Sequence, residues 1–344
     1  MSRARAALLV ICAAFPVLPA LSAQTANAAH ATFFRDGPAK NTGARPQAGY
    51  ALIGGGPDLD EAFRWLCSRA GVGDMVVLRA SGDDAYNPYL RRVCKLNSVT
   101  TIVIPGREAA LDVKVAETIR GASAIFVAGG DQAKYTRGWR GTPVEEALRE
   151  AVKRGIPIGG TSAGLAVMGE YIYSAEGDQP DDQDLTSEDA LADPFSRQVA
   201  VSPGLLGIPV LQGVITDSHF DTREREGRML VFLARILEAG QVKEIHGIGV
   251  AEETALLVEP DGRGRVVGKG DVEFFAASGK PKECREGKPL AIRRVLMRRV
   301  AKGGTFDLNA WRGNGNIWAL SVQPAKGRAL VSMTMAGSDV AKNR

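Results

Sequence analysis

The sequence predicts an α/β protein with a mostly parallel sheet covered by helices on both faces. Short apolar runs that end in Gly or Asp alternate with stretches of helical spacing, which is the pattern of successive β-α units. Hydrophobic residues make up 45% of the 344 residues and charged residues 24%, with 40 Gly and 17 Pro, so disordered, collagen-like and coiled-coil chains are excluded.

The elements follow from these runs in chain order. The predicted strands cover residues 50–53, 74–78, 99–104, 124–128 and 156–158. A helix is predicted over 59–70, and another over 144–154 with acidic residues in its first turn and basic residues in its last, which suits the helix dipole. From residue 247 onward, short apolar runs around a Pro260-Asp261-Gly262 turn predict β-hairpins.

The ends of the chain differ from its centre. A signal peptide is predicted at the N-terminus from Arg3 and Arg5, the apolar run over 6–17 and the small residues up to Ala28. Cleavage is favoured over a membrane anchor because Pro16 and Pro19 interrupt an apolar run that is already shorter than the ~20 residues of a membrane span. We therefore expect a secreted or periplasmic protein with no membrane anchor. The expected organisation is a signal peptide at 1–28, a leader at 29–48, one α/β domain at 49–278 and a C-terminal β-rich extension at 279–344.

Charge and cysteine content exclude further classes. The net charge is +4 and no Lys/Arg block dominates, which argues against a nucleic-acid binder. After cleavage three cysteines remain, so at most one internal bridge can form; Cys67 and Cys94 fit as a pair or as two buried thiols. Neither they nor Cys284 have a second ligand at metal-binding spacing, so no metal is expected.

The motif that carries chemistry is Gly160-Thr161-Ser162-Ala163-Gly164, which follows the fifth predicted strand. A G-x-S-x-G sequence between a strand and a helix predicts a nucleophile elbow that exposes the serine hydroxyl. The N–H of Ala163 would face the developing oxyanion, and the N–H of Gly130, at the end of the fourth strand, would complete the oxyanion hole. The sequence therefore predicts a nucleophilic Ser162.

A serine nucleophile needs a base and a carboxylate. Of the histidines, His30 lies in the leader and His246 beside an apolar run, whereas His219 follows a predicted strand at the edge where the elbow lies. The acid-rich loop between Ser162 and His219 leaves the carboxylate open, and Asp217 is another candidate. The loop candidates are Glu176, Asp178, Asp181, Asp182, Asp184, Glu188, Asp189 and Asp193.

Arginines follow the candidate base closely. Arg223, Arg225 and Arg228 lie within nine residues of His219. Guanidinium groups bind carboxylates in a bidentate manner, so the cluster predicts an acidic substrate.

Three linked motifs resemble the cyanophycinase family of serine peptidases, which is related to aspartyl dipeptidases. They are Gly129-Gly130-Asp131-Gln132, the elbow, and the segment from Asp217 to Leu230, and the resemblance covers residues 50–275. It implies a flavodoxin-like, doubly wound fold of the class I glutamine amidotransferase type, with Ser162 as nucleophile, His219 as base and no cofactor. It also implies that the substrate site is lined by Gln132, Asp217, Arg223, Arg225 and Arg228.

The resemblance also implies a substrate. Cyanophycinase cleaves a polymer of aspartate that carries arginine on each β-carboxyl and releases β-Asp-Arg, so the expected partner is an acidic peptide or a cyanophycin-like polymer, and a homodimer is expected. Glu188 is the best match for the family's glutamate, with Asp189 as the alternative. Ser218 replaces a family glutamine, which leaves simpler aspartyl peptides open as substrates.

Two other functions fit parts of the sequence. An α/β-hydrolase esterase shares the elbow, but the 57 residues from Ser162 to His219 are few for that fold. A non-catalytic protein on the same scaffold could use the arginine cluster to bind acidic peptides.

Overall fold

The computed structural model describes residues 30–38, 43–177, 184–325 and 327–336; the predicted signal peptide lies outside this part of the chain. The strands in this part of the chain form two sheets, which are connected and covered by helices. The strands are β1 (Thr32–Asp36), β2 (Tyr50–Ile53), β3 (Asp74–Arg79), β4 (Ser98–Val103), β5 (Ala124–Val127), β6 (Ile158–Thr161), β7 (Tyr171–Tyr173), β8 (Val201–Pro203), β9 (Val214–Asp217), β10 (Glu244–Val250), β11 (Thr254–Val258), β12 (Arg263–Gly268), β13 (Asp271–Ser278), β14 (Ile292–Ala301), β15 (Thr305–Asp307), β16 (Arg312–Gly313), β17 (Ile317–Ala325) and β18 (Arg328–Met335). The helices are α1 (Asp60–Ala70), α2 (Tyr86–Val93), α3 (Arg107–Ala110), α4 (Val113–Arg120), α5 (Gln132–Trp139), α6 (Pro143–Lys153), α7 (Ala163–Ala166), α8 (Ser187–Ala192) and α9 (Glu226–Glu238).

The first sheet has the order β1-β4-β3-β5-β6-β2-β11-β12-β15-β16, and its centre from β4 to β2 is parallel. The first four predicted strands are confirmed to within one residue at either end. The fifth was predicted at 156–158, but β6 begins at Ile158, which pairs with Tyr50. Its continuation through Gly159 and Gly160 lets α1 approach, since a Cβ on Gly159 would lie 2.8 Å from Leu66 Cδ2.

Helices cover both faces of this parallel centre. Ala51 and Ile53 of β2 pack in one core with residues of α1, whereas Tyr50 and Leu52 pack in another with residues of α4, α5 and α6. Side chains alternate between faces along a strand, so a strand buried on both faces is apolar throughout. The predicted mixed α/β architecture with a parallel sheet core is confirmed.

The second sheet has the order β18-β17-β14-β13-β10-β9-β7-β8 and is parallel only from β10 to β7. Ile248 and Phe274 on one face share the core of the first sheet, while Ile245 and Phe275 on the other pack with α9. The second sheet therefore packs against the core of the first sheet on one face and against α9 on the other. The sequence predicted one parallel sheet; the strand before His219 belongs to the second.

The two predicted flanking segments are part of the sheets. β1, within the predicted leader, pairs antiparallel with β4, with Phe33 opposite Ile102. β14, β17 and β18 extend the second sheet, and β15 and β16 extend the first. The C-terminal segment is β-rich, as predicted, and it completes both sheets.

A disulfide joins Cys67 of α1 to Cys94, which follows α2. Cys284 is a buried free thiol. Among the described residues, no helix combines the length and apolar character needed to cross a membrane.

Candidate active site

The site lies where the two sheets meet at the carboxyl end of β2. Ser162 follows β6 of the first sheet and its amide donates to Ile53 O (3.1 Å); His219 follows β9 of the second sheet and its amide donates to Gly54 O (2.7 Å). Two adjacent carbonyls of one strand end therefore fix the backbone of both residues. This is the sheet edge at which α/β proteins place their sites.

Ser162 has the strained backbone of a nucleophile elbow, with φ 54° and ψ −119°. The turn is closely packed, since a Cβ on Gly164 would lie 2.0 Å from Val127 O and one on Gly160 would lie 2.4 Å from Gly164 O. Only glycine fits at these two positions. The motif is therefore required by sterics, and strain at such a residue is typical of functional sites.

Ser162, His219 and Glu252 form a continuous chain of hydrogen bonds. Ser162 Oγ lies 2.7 Å from His219 Nε2, and Glu252 Oε1 lies 2.5 Å from His219 Nδ1. A carboxylate only accepts, so Nδ1 carries the proton and Nε2 is left to accept from the serine hydroxyl. The tautomer is the one that a serine nucleophile needs.

Electrostatics keep His219 neutral. Burial lowers the pKa of His219 below its usual value, the hydrogen bond to Glu252 raises it in part, and the charges of Arg223 and Arg225 lower it again. The hydrogen bond from His219 lowers the pKa of Glu252, so its carboxylate remains ionised. At neutral pH the imidazole can therefore accept a proton.

The carboxylate that contacts His219 in the structure is Glu252, whereas the sequence predicted Glu188. Glu188 is exposed in the first turn of α8, and the carboxylate of its alternative Asp189 accepts from the hydroxyl of Thr186, the N-cap residue of that helix (2.6 Å). Glu252 lies between β10 and β11, where its amide donates to Asp221 Oδ1 (2.9 Å). Glu252 is predictable on the same ground as His219, because β10 runs parallel to β9 and Glu252 follows the end of β10.

A glycine makes room for the base. Gly55 has φ 101°, and a Cβ there would lie 2.4 Å from His219 Cε1. The Gly54-Gly55-Gly56 turn after β2 therefore packs directly against the imidazole ring.

The predicted oxyanion-hole residues border the nucleophile. Ala163 follows Ser162 as the first residue of α7. The Gly129-Gly130 backbone passes beside it, since a Cβ on Gly129 would lie 3.3 Å from Ser162 Cβ. Both predicted N–H donors thus belong to segments that adjoin Ser162.

Three residues predicted to line the substrate site form a buried ion cluster instead. Arg228 is 0% exposed and donates through Nε and Nη2 to Asp217, which is 1% exposed, at 2.7 and 2.6 Å. Arg225 is also buried and donates to Asp217 Oδ1 (3.2 Å) and Ser218 O (2.8 Å). Because a buried charge is stable only when paired, these groups are committed to one another and have no surface for a substrate.

The cluster extends to the acid-rich loop through Asp184. Its carboxylate contacts Arg223 (3.1 Å), Arg225 and Arg228 (3.0 Å). Arg223 is half-exposed and is the one arginine of the three that faces solvent. Gln132 begins α5, half-buried, and donates to Tyr173 O (3.4 Å). Asp178, Asp181 and Asp182 of the loop lie outside the described residues.

The described residues contain no group of three or more His, Cys, Asp or Glu side chains that could hold a metal ion. A serine hydroxyl in contact with a His–Glu pair, on an elbow at the carboxyl edge of a parallel sheet, defines an α/β serine hydrolase.

Comparison with known proteins gives the family. Residues 83–264 match the model of Peptidase family S51. The cyanophycinase of Trichormus variabilis is 30% identical over 273 residues, covering 75% of this chain and 84% of the relative. That of Geminocystis herdmanii is 33% identical over 199 residues, covering 56% and 64%. The chain belongs to Peptidase family S51 and is a serine-type peptidase.

A solved structure of low identity shares the fold. The crystal structure of a peptidase from an acI-B1 Actinobacterium is 17% identical and covers 76% of this chain and 97% of that one, with a TM-score of 0.50. The architecture is that of a known peptidase.

Proposed function

We propose that this protein is a cyanophycinase-type serine peptidase that hydrolyses aspartyl or β-aspartyl bonds, with cyanophycin as its leading substrate. The observation that carries the mechanism is the hydrogen-bonded chain from Ser162 through His219 to Glu252. The cyanophycinases among its relatives support the substrate class.

In the proposed first step, Ser162 Oγ attacks the scissile carbonyl carbon while His219 Nε2 takes the hydroxyl proton. The carbonyl π electrons move to oxygen, and the N–H groups of Ala163 and Gly130 bind this oxyanion. His219 then gives its proton to the leaving amine, the C–N bond breaks and an acyl-enzyme forms. Water attacks the acyl-enzyme by the same route and releases the acid and free Ser162.

Glu252 stabilises the imidazolium that forms in each step and keeps Nδ1 protonated. The buried cluster of Asp217, Arg225 and Arg228 helps to position the base, because Arg225 donates to the carbonyl of Ser218, the residue before His219. We assign these three residues to positioning rather than to substrate contact.

The order β4-β3-β5-β6-β2 resembles the doubly wound order 2-1-3-4-5, with β2 in the place of the fifth strand. We therefore propose a flavodoxin-like core.

The test is mass spectrometry of products from cyanophycin and from a panel of α- and β-aspartyl dipeptides. We expect the wild type to release β-Asp-Arg from cyanophycin, and Ser162→Ala to lose activity by at least about 10⁴-fold with an unchanged melting temperature. Hydrolysis by Ser162→Ala at the wild-type rate would refute the mechanism. Cleavage of dipeptides alone would keep the mechanism and replace the substrate.

We also propose export. The predicted signal peptide is supported by the Cys67–Cys94 disulfide, since such bonds persist in oxidising compartments. The mature N-terminus and the mass under non-reducing conditions, measured after expression with the full sequence, test this; an intact Met1 in the soluble cytoplasmic fraction would contradict it.

A further inference from the structure

Arg79 lies at the same sheet edge as Ser162, at the end of β3, with β5 between β3 and β6. Contacts link the two residues. Tyr135 Oη donates to Ala128 O (2.9 Å), and the amide of Ala128 donates to the carbonyl of Leu78 (2.9 Å), the residue before Arg79. A Cβ on Gly130 would lie 3.6 Å from that hydroxyl. Ala128 and the Tyr135 phenol therefore connect the end of β3 to the Gly129-Gly130 segment beside the nucleophile.

The Arg79 guanidinium is held in place but weakly neutralised. It donates through Nε to Ser81 O (2.6 Å) and through Nη1 to Asp83 O (2.9 Å). Its side chain is 19% exposed, and its ion-pair partner in the described residues is Asp83, at 3.8 Å and 73% exposed. Such an exposed, distant carboxylate contributes little. Arg79 is a preorganised cation that can still bind an anion.

The turn that holds Arg79 requires glycine. Gly82 has φ 99°, and a Cβ there would lie 2.2 Å from Arg79 Nη2. The backbone of the turn therefore closes directly onto the guanidinium, which fixes its orientation.

A carboxylate completes the arrangement on the other side. Asp58 lies in the loop after β2, three residues beyond Gly55, which packs on the His219 ring. Asp58 is exposed, and Tyr86 Oη donates to its Oδ1 (3.1 Å). Tyr86 begins α2 three residues after Asp83, whose carbonyl accepts from Arg79 Nη1, so one short segment contacts both charged side chains.

We propose that Arg79 and Asp58 are specificity-determining residues that bind the two charges of one arginine attached to the substrate through its α-amine. Arg79 binds the α-carboxylate and Asp58 binds the guanidinium. The inference rests on the proposed function, because in β-Asp-Arg the arginine amine is acylated while its carboxylate and guanidinium remain charged. Charge complementarity favours this ligand, because its carboxylate and guanidinium match a site that holds a cation, Arg79, and an anion, Asp58.

The test measures binding, so that it does not depend on turnover. Titration calorimetry would use full-length Ser162→Ala with three probes, Nα-acetyl-arginine, its carboxamide and Nα-acetyl-citrulline. We expect the carboxamide and citrulline probes each to bind roughly 10- to 100-fold more weakly, the effect of one charge-assisted hydrogen-bonded pair. Adding Arg79→Gln should abolish the discrimination between carboxylate and carboxamide, and Asp58→Asn that between arginine and citrulline.

A matched control separates binding from folding. Arg91 also donates to two backbone carbonyls, those of Leu96 and Asn97, at the opposite sheet edge. Arg91→Gln should leave all three affinities unchanged, and Arg79→Lys, which keeps the charge, should retain part of the carboxylate preference.

Equal affinity of the three probes for Ser162→Ala, or no binding, overturns the proposal, as does unchanged discrimination in Arg79→Gln. Failure of the proposed function shows separately, as absence of cyanophycin or aspartyl-peptide cleavage by the wild type.

Discussion

His219 depends on Glu252 for its tautomer and for stabilisation of its charged form, and this dependence gives the most direct prediction at the scale of single residues. Glu252→Gln keeps the size of the side chain but removes its charge and allows the opposite tautomer. We expect kcat to fall by about 10²- to 10⁴-fold with little change in KM, measured by steady-state hydrolysis of an aspartyl peptide.

The matched control is Glu188→Gln, which makes the same change in the residue chosen from the sequence. Because Glu188 is exposed in α8, the kcat of the Glu188→Gln enzyme should stay within about twofold of the wild-type value. The assignment of Glu252 is refuted if Glu188→Gln is the slower enzyme.

The pH dependence follows from the lowered pKa of His219. The base acts in its neutral form, so kcat/KM should be constant at neutral pH and fall about tenfold per pH unit below the pKa. Since that pKa lies below the usual 6.5, the acidic midpoint should also lie below 6.5. Because Glu252 raises the pKa of His219, Glu252→Gln should shift the midpoint further toward acid. A midpoint above 7 in the pH profile would contradict this.

Residues fixed by local chemistry could be identified from the sequence, whereas residues fixed by packing could not. Ser162 was found because an elbow needs small neighbours at set positions, and His219 because it follows a strand at the same edge. Glu252 lies outside the segment between Ser162 and His219 from which the sequence predicts the carboxylate. The burial of Asp217, Arg225 and Arg228 was also not predictable, since the sequence does not show that Asp184 returns to neutralise them.

At the scale of elements, the buried ion cluster fastens the N-terminus of α9 to the end of β9. Asp217→Asn would leave Arg228, which has no exposure, with Asp184 as its remaining carboxylate. We expect a loss of about 3–5 kcal/mol in the free energy of unfolding, measured by urea denaturation. Asp217→Asn combined with Arg228→Met should cost less than the sum of the two single changes.

The control for this prediction is an exposed pair. Arg263, which is 76% exposed, contacts Asp261 at 2.6 Å, and Arg263→Met should leave the free energy of unfolding nearly unchanged. If Asp217→Asn costs no more than this, the cluster does not stabilise the fold.

A strand could be predicted from the sequence where its run is apolar on both faces, as in β2 and β5. It could not be predicted where the strand forms only because a neighbouring strand pairs with it. β6 contains Gly159 and Gly160, and it exists because β2 and β5 pair with it on both sides. β1 is half polar and gains its place from pairing with β4. A single sequence carries little information on such pairing.

At the scale of the whole molecule, the C-terminal segment is predicted to be indispensable. A chain ending at residue 278 would lose β14, the partner of β13, together with β15 to β18. The core side chains that pack against these strands would then be exposed to water. Phe274, for example, stacks on Phe306 at 3.7 Å, and Val295, Met297, Leu320 and Val322 are buried with α9. Exposure of this much apolar surface should make the truncated protein aggregate.

A shorter truncation is the control for the chain that ends at residue 278. Of the described strands, a chain ending at residue 326 loses β18, an edge strand whose Leu330 and Met335 are 57% and 67% exposed, so little buried apolar area of the described part is lost. We expect this protein to remain monodisperse in size-exclusion chromatography and to unfold in one thermal transition, while the 278-residue chain is recovered as aggregate. A soluble, cooperatively unfolding and active chain of 278 residues would show that the segment from 279 onward is an independent extension, as the sequence pattern alone indicates.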